Sequence, residues 1–475
     1  MILRYIYVPG NAYELRSKAR LDFTHVSIEP LYSQPTFGSP PLFLSLKFAK
    51  ADIFNSTTNE ERMAAVTAAS SCFDHDLSAV HGEEVDAGAD TALYKNLALL
   101  LMKHHFSQDA DQQSRMIYDL WKEIALTCQT IEMVYRCSVS KLSYSFHRTG
   151  KELLPLLLTV MAHCLQRSIE ESNTAISAQV GEHDDNSPWK TAILASTKIV
   201  AHCATVTTAL VSMAQQRGVL STLKRVATSK LSDNARFSAL WTLANLAFDA
   251  DNMVLIACHP GLVDALVDIA YEDASFEARN HAAKAISNLA WRPENKIPLT
   301  ERPRLLDAMV KLIGSSITKT RRHAARAFRF LSDTPSQNKV RLCKHGDGII
   351  LSTLLKRGSK DADRSVRECA ATTLSNLVCE ETAEMMGAYP GLLDTLPNIA
   401  IMIERGNGPA LAGEALCSLA ELIKPEMQCY QQLTQSVETV LSWNEETSVQ
   451  NFSPRRQNML LRLSQLQREK LGQSV

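Results

Sequence analysis

Residues 278–290 read ARNHAAKAISNLA, and related segments occur at four other places in the chain. These are ARFSALWTLANLA from Ala235, TRRHAARAFRFLS from Thr320, VRECAATTLSNLV from Val366 and LAGEALCSLAELI from Leu411. In each segment, large apolar residues and alanines recur at spacings of three and four, which places them on one face of an α-helix. The segments therefore predict long helices that bury equivalent faces.

One leucine position is shared by all five segments and sets the length of the repeat. It is occupied by Leu246, Leu289, Leu331, Leu377 and Leu422, at spacings of 43, 42, 46 and 45 residues. A second segment follows the same period, because residues 260–270 read PGLVDALVDIA and residues 390–400 read PGLLDTLPNIA. Periods of about 40–47 residues made of two or three helices are typical of helical repeat proteins.

Each period is predicted to contain a short helix, a second helix and the long helix. A glycine or proline stands before each second helix: Gly218, Gly261, Pro303, Gly348 and Gly391. Glycine at such a corner permits a sharp reversal of the chain that a side chain would obstruct. Near the C-terminus, the sequence predicts a closing helix whose inner stripe is formed by Leu460, Leu463 and Leu466.

The order of short, middle and long helices resembles the armadillo-repeat family, closely over residues 205–425 and more loosely over residues 59–204. The resemblance implies an all-α, right-handed superhelical solenoid of about seven to nine three-helix repeats, with long helices lining a concave groove. Residues 1–58 are expected to form an atypical N-terminal segment, partly ordered or disordered, and residues 170–188 an acidic, mobile loop. Residues 426–475 are expected to form a capping repeat and helix.

The composition restricts the class of protein. The 475 residues contain 50 Lys and Arg against 51 Asp and Glu, which argues against binding nucleic acid through bulk charge. Eleven cysteines without a CxxC pair are typical of reduced thiols in the cytosol or nucleus. The longest apolar run, residues 153–165, is shorter than the ~20 residues of a membrane span. We expect a cytoplasmic or nuclear protein without membrane insertion.

Motifs of the common enzyme classes are absent from the sequence, including GxxxxGK[ST], HExxH and GxSxG. His163–Cys164 and His202–Cys203 are neighbours, but adjacent positions on a helix point about 100° apart, so neither pair can act as nucleophile and base. We interpret them as core cysteines beside boundary histidines. His183–Asp185 are a weak metal signal. The sequence predicts a non-catalytic protein without cofactor, metal or small-molecule substrate, and an enzyme built around the acidic loop or His104–His105 is the alternative class.

One repeat contains Trp241-Thr-Leu-Ala-Asn245, which matches the WxxxN motif of importin-α, the armadillo receptor for nuclear localisation signals. The resemblance implies that the asparagine bonds the main chain of an extended peptide and that the tryptophan holds the stems of Lys and Arg. Such a function needs a row of these pairs. The equivalent pairs are Lys284 with Asn288, Arg326 with Phe330, Thr372 with Asn376, and Cys417 with Glu421. Since Lys284 and Arg326 would repel a basic signal, a nuclear-signal receptor is the alternative function.

Charge is segregated between repeats. Residues 232–277 contain eight acidic and one basic side chain, whereas residues 318–360 contain eleven basic and two acidic ones. In the basic repeat, Arg322, Arg326 and Arg329 share one helical face, and alignment with the family places Arg326 towards the groove. We therefore predict a scaffold or adaptor whose arginines bind an extended acidic or phosphorylated protein segment. The predicted peptide-binding groove is completed by Lys284, Asn288, Asn376, Trp241 and Asn245.

An arginine also recurs one turn into four successive long helices, at Arg236, Arg279, Arg321 and Arg367. This periodicity predicts a structural ladder in which each guanidinium bonds a carboxylate or carbonyl of an adjacent helix. Asp264 and Asp394 are candidate partners.

Overall fold

The structure is a computed structural model that describes residues 100, 114–137, 151–173, 187–334, 336–402, 407–446 and 453–471. The regular elements within these ranges are helices, and no strand occurs among them. The chain divides into two compact units, Met1–Ala209 with Lys230–Ala235, and Leu210–Ser229 with Arg236–Val475. The predicted N-terminal segment, residues 1–58, lies outside the described residues.

The first unit contains three described helices, α1 (Ser114–Cys137), α2 (Lys151–Asn173) and α3 (Pro188–Cys203). Helix α3 packs against both α1 and α2, and its side chains Ile193 and Ile199 are fully buried. The predicted loop at 170–188 is wrong at both ends, because residues 170–173 continue helix α2 and Pro188 begins helix α3. Residues 174–186 of that loop lie outside the described residues.

The second unit repeats a short, a middle and a long helix. In chain order these are α4 (Leu210–Gln215), α5 (Val219–Thr228), α6 (Asp233–Leu246), α7 (Ala250–Ala257), α8 (Leu262–Glu272), α9 (Phe276–Leu289), α10 (Pro293–Glu301), α11 (Leu305–Ile313), α12 (Thr318–Ser332), α13 (Ser336–Lys344), α14 (Ile349–Lys360), α15 (Arg364–Leu377), α16 (Glu380–Gly387), α17 (Leu392–Ala400) and α18 (Gly408–Leu422). Two further helices follow, α19 (Tyr430–Glu446) and α20 (Pro454–Leu466). Short 3-10 turns occupy Thr207–Ala209 and His345–Gly348, and a π turn occupies Gln467–Leu471.

The predicted apolar stripe forms the core of the second unit. Four members of the shared leucine position are completely buried, Leu246, Leu289, Leu331 and Leu377, as are the residues three positions earlier, Leu243, Ile286, Phe328 and Leu374. The fifth, Leu422, is partly exposed at the end of its helix. In α20 the predicted inner stripe is confirmed, because Leu460, Leu463 and Leu466 are all buried. From α9 to α18 each long helix packs against the next one, so the core continues from repeat to repeat.

Each middle helix from α5 to α17 begins after a residue with left-handed backbone. The predicted glycine corners are confirmed at Gly218, Gly261, Gly348 and Gly391, whose φ angles lie between +65° and +89°. In the third repeat the predicted corner, Pro303, is wrong by one residue, because Arg304 has the left-handed conformation with φ +62°. Only glycine adopts this conformation without a steric cost. The guanidinium of Arg304 forms ion pairs with Asp268 and Glu272, which hold it in place.

The helices from α4 to α18 therefore repeat the predicted short, middle and long order, and the predicted all-α solenoid is confirmed. Crossing a bilayer would need more length or hydropathy than any single described helix has. Two sharply bent helix pairs meet those criteria jointly, Pro188–Cys203 with Thr207–Gln215 and Ala250–Ala257 with Leu262–Glu272.

Candidate functional site

The predicted groove residues lie on four consecutive long helices of the second unit. Helix α6 carries Trp241 and Asn245, α9 carries Lys284 and Asn288, α12 carries Arg322, Arg326 and Arg329, and α15 carries Asn376. We call the surface formed by these eight residues the ladder face. Asn288 is buried, Arg322 and Arg329 are exposed, and the other five are half-buried.

Lys284 connects the first two helices of the ladder face. Its Nζ donates a hydrogen bond to Oδ1 of Asn245 at 2.9 Å. One turn further along α9, Nδ2 of Asn288 donates to the carbonyl oxygen of Ala244 at 2.9 Å. Burial, followed by the charge of Arg326, lowers the pKa of Lys284. Asn245 and Asn288, predicted to bond a peptide backbone, are thus engaged in bonds between repeats.

Arg326 makes the next step of the ladder. Its guanidinium donates to Oγ of Ser287 at 2.8 Å and to Oδ1 of Asn288 at 2.6 Å. Both partners are neutral, and burial lowers the pKa of Arg326. Asn376 continues the pattern, because its Nδ2 donates to Oγ of Ser332 at 3.3 Å. A ligand that used the amide oxygen of Asn288 would have to displace Arg326.

The other two predicted arginines have different surroundings. Arg322 forms a two-point ion pair with Asp363, in which its Nε lies 3.0 Å from Oδ1. The same carboxylate accepts from the backbone N–H of Val366 at 3.2 Å and caps α15. The hydrogen bond from Arg322 lowers the pKa of Asp363. Arg329 is exposed. Burial raises the pKa of the Cys369 thiol, and the charge of Arg329 opposes this shift. The helical spacing places all three arginines on one face, but it does not reveal that one of them is already paired.

Two histidines that were not predicted from the sequence complete this region. His281 and His323 lie three residues before Lys284 and Arg326, in the repeated motifs HAAK and HAAR. We call His281, Lys284, His323 and Arg326 the cation cluster. The motif recurs 42 residues apart and is the signal that could have identified the cluster.

The electrostatics of the cation cluster are unusual because two cations and two imidazoles influence one another with little compensation by acidic groups. Burial, then the charges of Arg326, Lys284, His281 and Arg322, lower the pKa of His323 to about 4. Burial, then Lys284, also lowers the pKa of His281, and Glu277 opposes this shift. Among the described residues, no carboxylate forms an ion pair with any of the four side chains, and Nδ1 of His281 is buried without a hydrogen-bond partner.

The predicted arginine ladder is confirmed, whereas its suggested partners are wrong. Arg236 is paired with Asp273, Arg321 lies 2.8 Å from Asp361, and Arg279 and Arg367 bond the carbonyl oxygens of Ala274 and Asp361 at 3.0 and 2.6 Å. Asp273 and Asp361 precede the long helix of the following repeat, so the pairs of Arg236 and Arg321 join successive repeats. The carbonyls of Ala274 and Asp361 instead precede the helices that carry Arg279 and Arg367 themselves. Asp264 instead pairs with Arg302 at 3.2 Å, and Asp394 accepts from Gln432 at 2.9 Å. Both aspartates lie in the first turn of a middle helix, towards the following repeat.

A second ladder, of buried asparagines, was also missed. Asn252, Asn295 and Asn338 each donate from Nδ2 to a carbonyl oxygen of the preceding short helix, at 3.0, 3.1 and 3.3 Å. Each also bonds a carbonyl at the end of the preceding long helix. Their spacing of 43 residues was visible in the sequence. These bonds satisfy buried polar groups between repeats and are structural.

Ion pairs across repeat boundaries neutralise much of the predicted charge segregation. Asp268 and Glu272 of the acidic repeat pair with Arg304. In the basic repeat, Arg357 pairs with Asp361 at 3.1 Å and Arg341 with Glu301 at 3.0 Å. The positive charge that stays unpaired among the described residues is therefore smaller than the composition indicates. Part of it lies on the ladder face, at Arg326 and Arg329.

The catalytic candidates among the described residues are the two neighbouring His–Cys pairs. Cys164 and Cys203 are buried beside half-buried His163 and His202, which confirms the interpretation as core cysteines. Burial raises the pKa of both thiols. Within the described ranges, no three His, Cys, Asp or Glu side chains could hold a metal ion together. His104–His105 and His183–Asp185 lie outside the described residues.

No protein-family model and no curated protein matches the sequence. Among solved structures, an engineered protein aligns over 90% of this chain and 99% of its own length, with 17% identity and a TM-score of 0.52. A computationally designed armadillo repeat protein for modular peptide recognition aligns over 60% of this chain and 99% of its own, with 19% identity and a TM-score of 0.43. A designed armadillo repeat protein in complex with the peptide (KR)4 aligns over 52% and 99%, with 20% identity and a TM-score of 0.36. The first likeness supports the repeat fold alone.

Proposed function

We propose that the protein is a non-catalytic armadillo-type scaffold or adaptor, which binds an extended acidic or phosphorylated protein segment on the ladder face. The observation that carries the proposal is the position of Lys284 and Arg326. Both are half-buried on successive repeats, and each bonds only neutral amide or hydroxyl groups among the described residues. Gathering positive charges in this way is unfavourable for folding, and such arrangements are concentrated at functional sites.

The arginines contribute unequally to this function. Arg326 and Arg329 can contact an incoming carboxylate or phosphate directly, because neither is paired with a described acidic side chain. The guanidinium of Arg322 already makes two hydrogen bonds to Asp363. Arg322 therefore attracts the ligand through its electrostatic field, or contacts it directly after the ion pair with Asp363 is broken. Asn288, Asn376 and Asn245 would bond the peptide backbone only by exchanging their present bonds between repeats. Trp241 offers a half-buried aromatic surface beside them.

The nuclear-signal receptor remains the alternative function, and the position and the contact of Lys284 weigh against it. Lys284 occupies the position where the importin-like motif has tryptophan, and its ammonium bonds Oδ1 of Asn245. A basic peptide would therefore meet a like charge beside the amide that should bind it. The cytoplasm and nucleus are both compatible with an adaptor of this kind.

A peptide array tests the proposal and the alternative together. The full chain is applied to matched sets of acidic, phosphorylated, basic and neutral peptides, in low and in physiological salt. We expect capture by acidic and phosphorylated peptides, weakening as salt rises because the attraction is screened. Capture by basic peptides alone would reject the proposal and favour the nuclear-signal receptor.

A further inference from the structure

The cation cluster is confined to two repeats. The residues equivalent to His281 and Lys284 are Ser238 and Trp241 in the preceding repeat, and Cys369 and Thr372 in the repeat after α12. At these two positions, positive charge is thus concentrated on α9 and α12, and the equivalent positions of the repeats on either side are neutral. A long run of carboxylates would place most of its charges over neutral or acidic surface, whereas one localised dianion would not.

The donors of the cluster suit a phosphoryl group better than a carboxylate. The ammonium of Lys284 and the guanidinium of Arg326 provide several N–H donors, and His281 and His323 can each provide another. A phosphoryl group carries a charge close to −2 and three acceptor oxygens, whereas a carboxylate carries −1 and two. Nδ1 of His281 is buried and has no hydrogen-bond partner among the described residues, and the imidazole would have to turn to bring this atom to the phosphoryl group.

The present partners of the two cations can be replaced by an anion. Lys284 bonds Oδ1 of Asn245, and Arg326 bonds Oδ1 of Asn288 and Oγ of Ser287. All three acceptors are neutral, and a charged acceptor makes a hydrogen bond about twice as strong. Released amides would then be free to bond the backbone that carries the phosphoryl group.

From this geometry we infer that the cation cluster binds a single phosphorylated side chain, phosphoserine or phosphothreonine, within an extended segment that has few other charges. Lys284 and Arg326 pair with the phosphoryl oxygens, and the imidazoles of His281 and His323 each donate an N–H to them. Arg329 lies one turn from Arg326 on the exposed side and neutralises a flanking carboxylate where one is present. The inference rests on the proposed function and narrows its ligand to one anionic group.

The test uses the full chain and four fluorescent peptides at neutral pH. Their central residue is phosphoserine, serine or glutamate within an alanine sequence, and the fourth is an uninterrupted run of glutamates. We expect the phosphoserine peptide to bind about tenfold or more tightly than the glutamate peptide, and the serine peptide not to bind. Lys284→Gln with Arg326→Gln should abolish binding, whereas the matched variant Lys356→Gln with Lys360→Gln, on exposed positions of α14, should retain it.

Imidazole NMR signals provide a second readout that does not depend on the variants folding equally well. With the phosphoserine peptide, the resonances of His281 and His323 should shift and their pKa values should rise, because a dianion favours imidazolium. If the glutamate run binds as tightly as the phosphoserine peptide, the phosphoryl inference is wrong while the proposed function stands. If no acidic peptide binds, both are wrong. Unchanged histidine signals in a bound complex would exclude the cluster as the site.

Discussion

The acidic repeat at residues 232–277 and the basic repeat at residues 318–360 have the same helix order and the same buried leucine, yet they use their charges differently. On its middle helix, the acidic repeat pairs Asp268 and Glu272 with an arginine of the following repeat. The basic repeat has Arg321 and Arg322 in ion pairs but leaves Arg326 and Arg329 without a described acidic partner. The comparison separates charges that join repeats from charges that are available to a ligand.

The largest expected effect concerns charges that join repeats. The side chain of Asp361 is fully buried and bonds both Arg321 and Arg357, so Asp361→Ala should destabilise the fold by about 3–5 kcal/mol. The matched control is Asp264→Ala, because Asp264 is 48% exposed in its pair with Arg302 and should cost at most about 1 kcal/mol. Urea unfolding monitored by circular dichroism measures both. An equal loss of unfolding free energy in the two variants would show that burial does not determine how much these ion pairs stabilise the fold.

Asp361 also predicts a dependence of stability on pH. Burial raises its pKa, but hydrogen bonds and the charges of Arg321 and Arg357 outweigh burial, so its pKa in the fold is lowered. A lowered carboxyl pKa stabilises the fold above the ordinary value of 3.8, and this contribution is lost as the pH falls through the lowered pKa. We expect the wild type to lose more stability than Asp361→Ala on acidification from about pH 5. If both proteins lost the same stability on acidification, Asp361 would not be the source of this pH dependence.

The next effect concerns the core that the two repeats share. Leu246→Ala and Leu331→Ala should each destabilise by about 2–5 kcal/mol through lost transfer energy and a cavity, because both leucines are completely buried. Hydrogen exchange should show the damage in neighbouring repeats before distant ones. Leu461→Ala is the control, since that side chain is 69% exposed. A neutral effect at Leu331 would reject the stacking of long helices.

A smaller effect distinguishes the environment of the cation cluster. His323 should stay neutral until the pH approaches about 4, because its partial burial and the charges of Arg326, Lys284, His281 and Arg322 all lower its pKa. Arg326→Gln removes the charge that lowers this pKa most and should therefore raise the pKa of His323. An NMR titration of the imidazole resonances measures the change. An ordinary pKa near 6.5 in the wild type would show that the positive groups are not gathered there.

The sequence predicts the parts of this structure that repeat. The leucine stripe and four glycine corners recur with the period of the repeat, so each occurrence strengthens the prediction made from the others. The corner at Arg304 could not be predicted, because a non-glycine residue gives no signal of left-handed backbone. The pairing of Arg322 with Asp363 was equally inaccessible, since helical spacing fixes a face but not the side chain opposite it. His281 and His323 were visible as a repeated motif, but their significance depends on the burial that the fold imposes.

The central claim is that the unpaired cations of the ladder face bind an acidic or phosphorylated segment, and a comparison of two charge reversals tests it most directly. Arg326→Glu with Arg329→Glu changes the ladder face, whereas Lys356→Glu with Lys360→Glu makes the same change of charge on α14 of the same repeat. Fluorescence titration with a phosphorylated acidic peptide, on variants whose folding is checked by circular dichroism, should show binding lost in the first variant and retained in the second. Equal weakening in both would mean that net charge, and not the ladder face, attracts the peptide, and retained binding by the first variant would contradict the account.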